Sequence, residues 1–183
     1  IALRSMLKYL ARQKIAAMSA EQIELGKESD RTVQFLDTEQ VNRLINQPEI
    51  STPQGLRDKA ILEVLFSTGL RVSELTKLNR QQINLERREF GVVGKGGHAR
   101  VVFLSSTSAD WLKRYLATRE DNWRPVFIRY SGRTDESQEG EKMRLTCRSI
   151  ERLVEKYGLK ARLPFRLHPH HLRHSFATDL LIN

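Results

Sequence analysis

Leu3, Met6, Leu7 and Leu10 recur at i, i+3, i+4 and i+7, a spacing that sets four apolar side chains on one face of a helix over about residues 1–14. Such a face needs a surface to cover it. From Ser19 to Arg31 the pattern gives way to polar residues of mixed charge around Gly26, the texture of a connector. The pattern therefore divides the chain into residues 1–15, the closing helix of a preceding domain; residues 16–32, a linker; and residues 33–183, the main domain.

In the main domain Asp37 or Thr38 opens a helix with Val41, Leu44 and Ile45 on one face, ending near Pro48. A second helix over about Leu56 to Thr68 is apolar along Ile61, Leu62, Val64, Leu65 and Phe66, so it is expected at the centre of the core with Gly69 as its stop. A short helix follows from Val72 to Leu78. Two β-branched runs, Phe90 to Val93 and Val101 to Leu104, flank Gly94-Lys95-Gly96-Gly97 and predict an antiparallel hairpin. Helical spacing returns at Trp111, Leu112, Tyr115 and Leu116, with Ser108 as the expected cap, and Val126 to Ile128 reads as a short buried strand. After a polar loop, Ser131 to Glu141, Thr146 caps a helix that buries Ile150, Leu153, Val154 and Tyr157 and stops at Gly158. The last helix starts near Pro169 and runs through Leu172, Phe176 and Leu180. The fold class expected is mainly α with a small antiparallel β-sheet.

Charge narrows the function. Lys plus Arg number 31 against 22 acids, a net charge of +9, in a chain that is 39% hydrophobic. A globular, basic domain facing nucleic acid fits that combination better than a disordered basic tail. Nine of the cations fall between Lys142 and Arg173 against only Glu151 and Glu155. Arg148, Arg152 and Lys156 recur every four residues, a stripe able to follow a phosphate backbone, or simply a solvated helix face. Cys147 is the single cysteine, which excludes an internal disulfide and a Cys-rich zinc fold and makes a reducing cytoplasm the expected compartment. No apolar run approaches the roughly 20 residues of a membrane span.

Four of five histidines, His168, His170, His171 and His174, fall within seven residues. His170 and His174 have the spacing of a metal pair, but neither Cys nor a nearby carboxylate joins them, and the surrounding cations repel an ion, so no metal is expected. His170 and Arg173 on one face near a helix start instead offer donors to one phosphate. Arg71 opens a helix after Thr68-Gly69-Leu70, with Glu74 one turn on to hold its guanidinium. Lys95 sits at a glycine turn that lacks the GxxxxGK spacing of a nucleotide-binding loop.

Taken in order, "GLRDKAILEVLFSTGLRVSELTKL" from Gly55, "GKGGHARVVFLS" from Gly94 and "HPHHLRHSFATDLL" from His168 resemble the tyrosine recombinase (phage integrase) family, especially its Xer-like members. "ALRSMLKYL" and "EQIELGKESDRTVQFL" are similar to the end of that family's core-binding domain and its linker. The resemblance implies Arg71 and Arg173 as the catalytic arginines, Lys95 as the hairpin lysine and His170 as the histidine of the HxxR box. It also implies Glu74 as support for the first arginine and His174 as a mainly structural histidine. Arg100, Arg148, Arg152 and Lys156 are assigned to DNA contacts.

In that family a further His or Trp and the nucleophilic tyrosine follow the HxxR helix, beyond Asn183. Tyr9, Tyr115, Tyr130 and Tyr157 all precede it, so none is assigned as nucleophile and these 183 residues are expected to bind DNA without forming a covalent adduct. The implied activity is site-specific recombination of double-stranded DNA in a homo- or hetero-tetramer, needing neither metal nor cofactor, in the cytoplasm at the nucleoid. Two other readings share these residues: a type IB topoisomerase-like relaxase, and a DNA-binding module that keeps the fold without catalysis.

Overall fold

In a computed structural model the described residues are 2–24, 34–135 and 137–182; the side chains of Lys95 and of residues 179–182 lie outside the description. The chain divides into two compact units, Ile1–Val33 and Gln34–Asn183. In the first, helix α1 (Ala2–Arg12) is followed by a 3-10 turn, Ala20–Gln22, folded back by a 2.9 Å hydrogen bond from Arg4 Nε to the Ala20 carbonyl. Only Leu7 of the apolar stripe is buried; Leu3 and Met6 are each 56% exposed. Of the connector expected over residues 16–32, residues 25–32 lie outside the described residues, as does the Val33 boundary.

The second unit is mainly helical with one small sheet. Asp37 caps α2 (Thr38–Ile45) in a reciprocal capping box with Gln40. Thr52 caps α3 (Pro53–Thr68), whose Pro53 occupies the first turn, where a missing N–H costs nothing. Ten of the sixteen α3 residues are buried, and the helix packs against α2, α5 (Ser106–Ala117) and α8 (Pro169–Ile182). Arg57, Asp58, Lys59 and Glu63 are buried with the apolar residues. Their charges are met locally: Arg57 Nη2 lies 2.6 Å from Asp58 Oδ1, and Lys59 Nζ lies 3.1 Å from Glu63 Oε1. Tyr157 of α7 (Cys147–Lys160) donates to Asp58 Oδ2 at 2.9 Å, tying α7 to this helix.

The sheet has the order β1 (Ile83–Asn84), β2 (Glu89–Val93), β3 (Ala99–Phe103), antiparallel throughout, with Gly91 opposite Val101. Phe90, Val92 and Val102 face the core; Val93, Val101 and Phe103 face outward. Between β3 and α5 the cap is Ser105, whose side chain accepts from Ser108 N; Ser108, expected as the cap, is a buried residue of the first turn. Val126 to Ile128 is buried but not a strand: the chain bends at Val126 and Phe127 between two isolated bridges, Asn79 with Pro125 and Ile128 with Arg144. The polar stretch contains one tight turn, α6 (Ser137–Gly140), in which Gln138, Glu139 and Gly140 have positive φ. Gly158 does not stop α7, which continues to Lys160. A β-carbon there would lie 2.7 Å from Leu167 Cβ, so this glycine admits the chain that leads into α8.

Candidate active site

The corner between α3 and α4 (Val72–Thr76) is made by Gly69 at φ +56°, a left-handed conformation that favours glycine. A β-carbon at Gly69 would overlap Phe176 Cδ1, so the corner also lets α8 pack directly on it. Arg173 Nη1 of α8 donates to the Gly69 carbonyl. Ser175 fixes the same helix from its other side, accepting from Leu36 N at 2.7 Å and donating to the His171 carbonyl at 2.9 Å. Two segments a hundred residues apart are thereby locked together.

Arg71, immediately after that corner, is the N-cap of α4. It lines a cleft of about 230 Å³ together with His170 and Arg173 of α8, Leu70, Val72, Ser73, Pro169, and Cys147 and Glu151 of α7. His170 is exposed and Arg173 is half-buried. The cleft presents two guanidiniums and an imidazole at the start of a helix, which suits an anionic oxygen pair.

Glu74, one turn into α4, is the hub behind this cleft. Its side chain is 6% exposed, and its Oε1 lies 3.2 Å from Arg71 Nη1 while Oε2 accepts from Arg71 N at 2.9 Å. Arg100 of β3 closes a two-point pair on the same carboxylate, Nη1 to Oε1 at 3.0 Å and Nη2 to Oε2 at 2.9 Å. Burial opposes the carboxylate charge, but the hydrogen bonds from Arg100 and from the Arg71 backbone and side chain, with the Arg100 charge, outweigh it and hold Glu74 down to about 2. The same hydrogen bond raises Arg100.

Of the residues expected from sequence, Arg71, His170 and Arg173 come together, with Glu74 behind Arg71. Lys95 opens the tight turn Lys95–Gly97 at the hairpin tip, where Gly94 N donates to the His98 carbonyl at 2.8 Å. Arg100 has a carboxylate partner that the sequence reading did not assign. His174 is exposed on α8, away from the cleft lining. Of the other two histidines of the cluster, His171 packs edge-on against Phe165, and its Nδ1 accepts from His168 N at 3.0 Å. Burial lowers its pKa. Among the described residues no three His, Cys, Asp or Glu side chains converge as metal ligands.

The α7 stripe divides. Arg148, Arg152 and Lys156 are all exposed, yet Arg152 and Lys156 line a separate cavity of about 300 Å³ with Arg57, Asp58, Arg129 and Tyr130. The face turned to the Arg71 cleft carries Cys147 and Glu151, which sequence reasoning missed. The Thr146 cap was the available signal, since it places Cys147 in the first turn of α7. A wider cavity, about 820 Å³, lies by Arg119, Asp121 and Trp123 and contains none of the motif residues.

The chain is 38% identical over 187 residues to "Tyrosine recombinase XerC" of Actinobacillus pleuropneumoniae serotype 7 (strain AP76), covering 99% of this chain and 57% of that protein. It is 34% identical over 188 residues to "Tyrosine recombinase XerD" of Staphylococcus haemolyticus (strain JCSC1435), covering 99% and 60%. It thus spans a little over half the length of these relatives. Among solved structures, the XerH site-specific recombinase bound to palindromic difH in a post-cleavage complex superposes with a TM-score of 0.70 at 24% identity, covering 98% of this chain and 54% of that one. The XerA recombinase gives 0.65 at 23%, covering 94% and 56%. At those identities the superpositions speak for the fold. A family model described as the phage integrase family matches residues 34–183, and the chain belongs to that family of tyrosine recombinases.

Proposed function

We propose that residues 34–183 form the catalytic domain of a site-specific DNA recombinase, with residues 1–15 the last helix of a core-binding domain and 16–32 the linker. The observation that carries this reading is the convergence of Arg71, His170 and Arg173 on one cleft from segments about a hundred positions apart. Arg71 and Arg173 grip the non-bridging oxygens of the scissile phosphate and stabilise the charge that grows in its pentavalent transition state. His170 donates to the same oxygens.

A tyrosine supplied beyond Asn183 gives its phenolic proton to water as it attacks phosphorus, the bond to the 5′-oxygen breaks, and Lys95 gives that oxygen its proton. The phosphate stays on the tyrosine as a 3′-phosphotyrosyl ester until a 5′-hydroxyl of the partner strand reverses the step. The phosphodiester energy is conserved, so the chemistry asks for neither metal nor ATP. The substrate is double-stranded DNA, held by phosphate contacts that include Arg148, Arg152 and Lys156, in a tetramer of like or paired recombinases working on cytoplasmic DNA. No described helix is long and apolar enough to cross a membrane.

The test uses a full-length protein carrying this sequence and a nicked duplex that traps the covalent intermediate. Arg71→Ala and Arg173→Ala are expected to slow formation of the SDS-resistant adduct by about 10²- to 10³-fold while duplex affinity stays nearly unchanged. Equal losses in affinity and cleavage would make both residues ordinary backbone contacts and leave a DNA-binding module. Lys95→Ala is expected to recover on a substrate with 5′-bridging sulfur, whose thiolate leaves without a proton, whereas the arginine variants stay slow.

A further inference from the structure

We propose that Arg100 is a positioning residue for cleavage: through Glu74 it anchors the hairpin that carries Lys95 to the corner that carries Arg71. The inference rests on the reading of Lys95 as proton donor and extends it to the device that holds the donor in place. Along β3 the side chains alternate, so Arg100 shares the inward face with Val102 while Val101 and Phe103 point outward. An arginine at the inner end of that face meets the buried Glu74 carboxylate, 26 positions earlier, with both arms of its fork.

Among the described residues the hairpin tip is held by two backbone hydrogen bonds, Gly94 N to the His98 carbonyl at 2.8 Å and Gly97 N to the Gly94 carbonyl at 3.2 Å, and by its approach to this ion pair. Gly96 and Gly97 both have positive φ, 83° and 80°, and contribute no side chains. Gly94 passes directly over the ion pair: a β-carbon there would sit 3.1 Å from Arg100 Nη1 and 3.7 Å from Glu74 Oε1. The residue preceding Lys95 therefore rests on the Arg100–Glu74 pair, and the same carboxylate holds the Arg71 guanidinium and backbone N–H. One buried carboxylate sets the spacing between the group that grips the phosphate and the loop that delivers the proton. A misplacement of about 1 Å in such a pair is worth about 10²-fold in rate.

The experiment measures cleavage by full-length Arg100→Ala and Arg100→Lys proteins on oxygen and 5′-bridging-sulfur duplexes, together with duplex affinity and hydrogen exchange of the 94–98 amides. On the oxygen substrate Arg100→Ala is expected to lose about 10²-fold in rate with little change in affinity. It should recover most of that loss on sulfur, as Lys95→Ala does. Arg100→Lys keeps the charge without the fork and should remain slow, which separates geometry from net charge if the alanine variant is unstable. The Gly94 amide, which bonds to His98, should exchange at least about tenfold faster in both variants.

Failure to recover on sulfur while Lys95→Ala does recover would place Arg100 on the phosphate-charge side and overturn the proposal. Matching losses of affinity and rate would make it a DNA contact and also overturn it. If Lys95→Ala itself shows no recovery, the proton-donor reading fails separately. Hairpin exchange then decides the anchor, and unchanged protection at Gly94 would sink it.

Discussion

At the scale of single residues, the most consequential feature is one carboxylate shared by two arginines. Glu74 is held down to about 2 against an ordinary value of 4.5. A depressed folded-state value means that the stabilisation is fully present above the unfolded value and is lost as pH falls through the folded one. The window thus runs from about pH 5 down to about pH 2. Arg71 and Arg100 are partly solvated, at 46% and 39% side-chain exposure, so the effect is moderated by water. Glu74→Gln is expected to lower the melting temperature at neutral pH and to flatten its dependence on pH within that window. Thermal melts of both proteins across the acid range check this, since the other low carboxylates, such as Asp135 and Asp121, are common to both. A variant with an unchanged acid slope would remove Glu74 from the linkage.

At the scale of elements, the site depends on how closely α8 sits against the α3–α4 corner. Gly69 supports that contact in two ways, by its positive φ and by leaving room for Phe176, while its carbonyl receives Arg173. Gly69→Ala therefore combines a strained backbone with an overlap, a cost of about 1–3 kcal/mol for the strain alone. The expected outcome is a clearly lowered denaturant midpoint, with cleavage reduced by more than duplex binding. Adding Phe176→Ala should recover only part of the stability, because the left-handed φ remains. Complete recovery would mean that the overlap alone sets the cost.

At the scale of the whole molecule, a net charge of +9 spread over helices and the hairpin predicts affinity dominated by phosphate contacts. Log affinity for duplex DNA is expected to fall linearly with log salt, by at least about 10²-fold over a fourfold rise in salt. Arg152→Ala and Lys156→Ala should each reduce the slope by about one if they touch phosphates. An unchanged slope in both would instead assign their cavity, with Arg57 and Arg129, a role apart from the duplex. Titrations at several salt concentrations make the distinction.

Local pattern was enough for most of this protein. The core-forming α3, the glycine corner, the hairpin and the capped α7 follow from periodicity, capping and turn chemistry, because each of those signals is written within a few neighbouring positions. Arg71, His170 and Arg173 stand in motifs of the same short range, and so did the pairing of Arg71 with Glu74. Packing decided the remainder. Ser105 rather than Ser108 caps α5, since Ser108 turns into the core, and Gly158 lies within α7 to admit Leu167. The rotation of α7 selects Cys147 and Glu151 for the cleft and turns Arg152 and Lys156 to another cavity. Arg100 meets Glu74 only because the β2–β3 register and the packing of β3 on α3 bring them together. Helical and strand periods fix which side chains share a face; which neighbour that face meets is set by contacts between distant segments, and a single sequence carries no local signal for them.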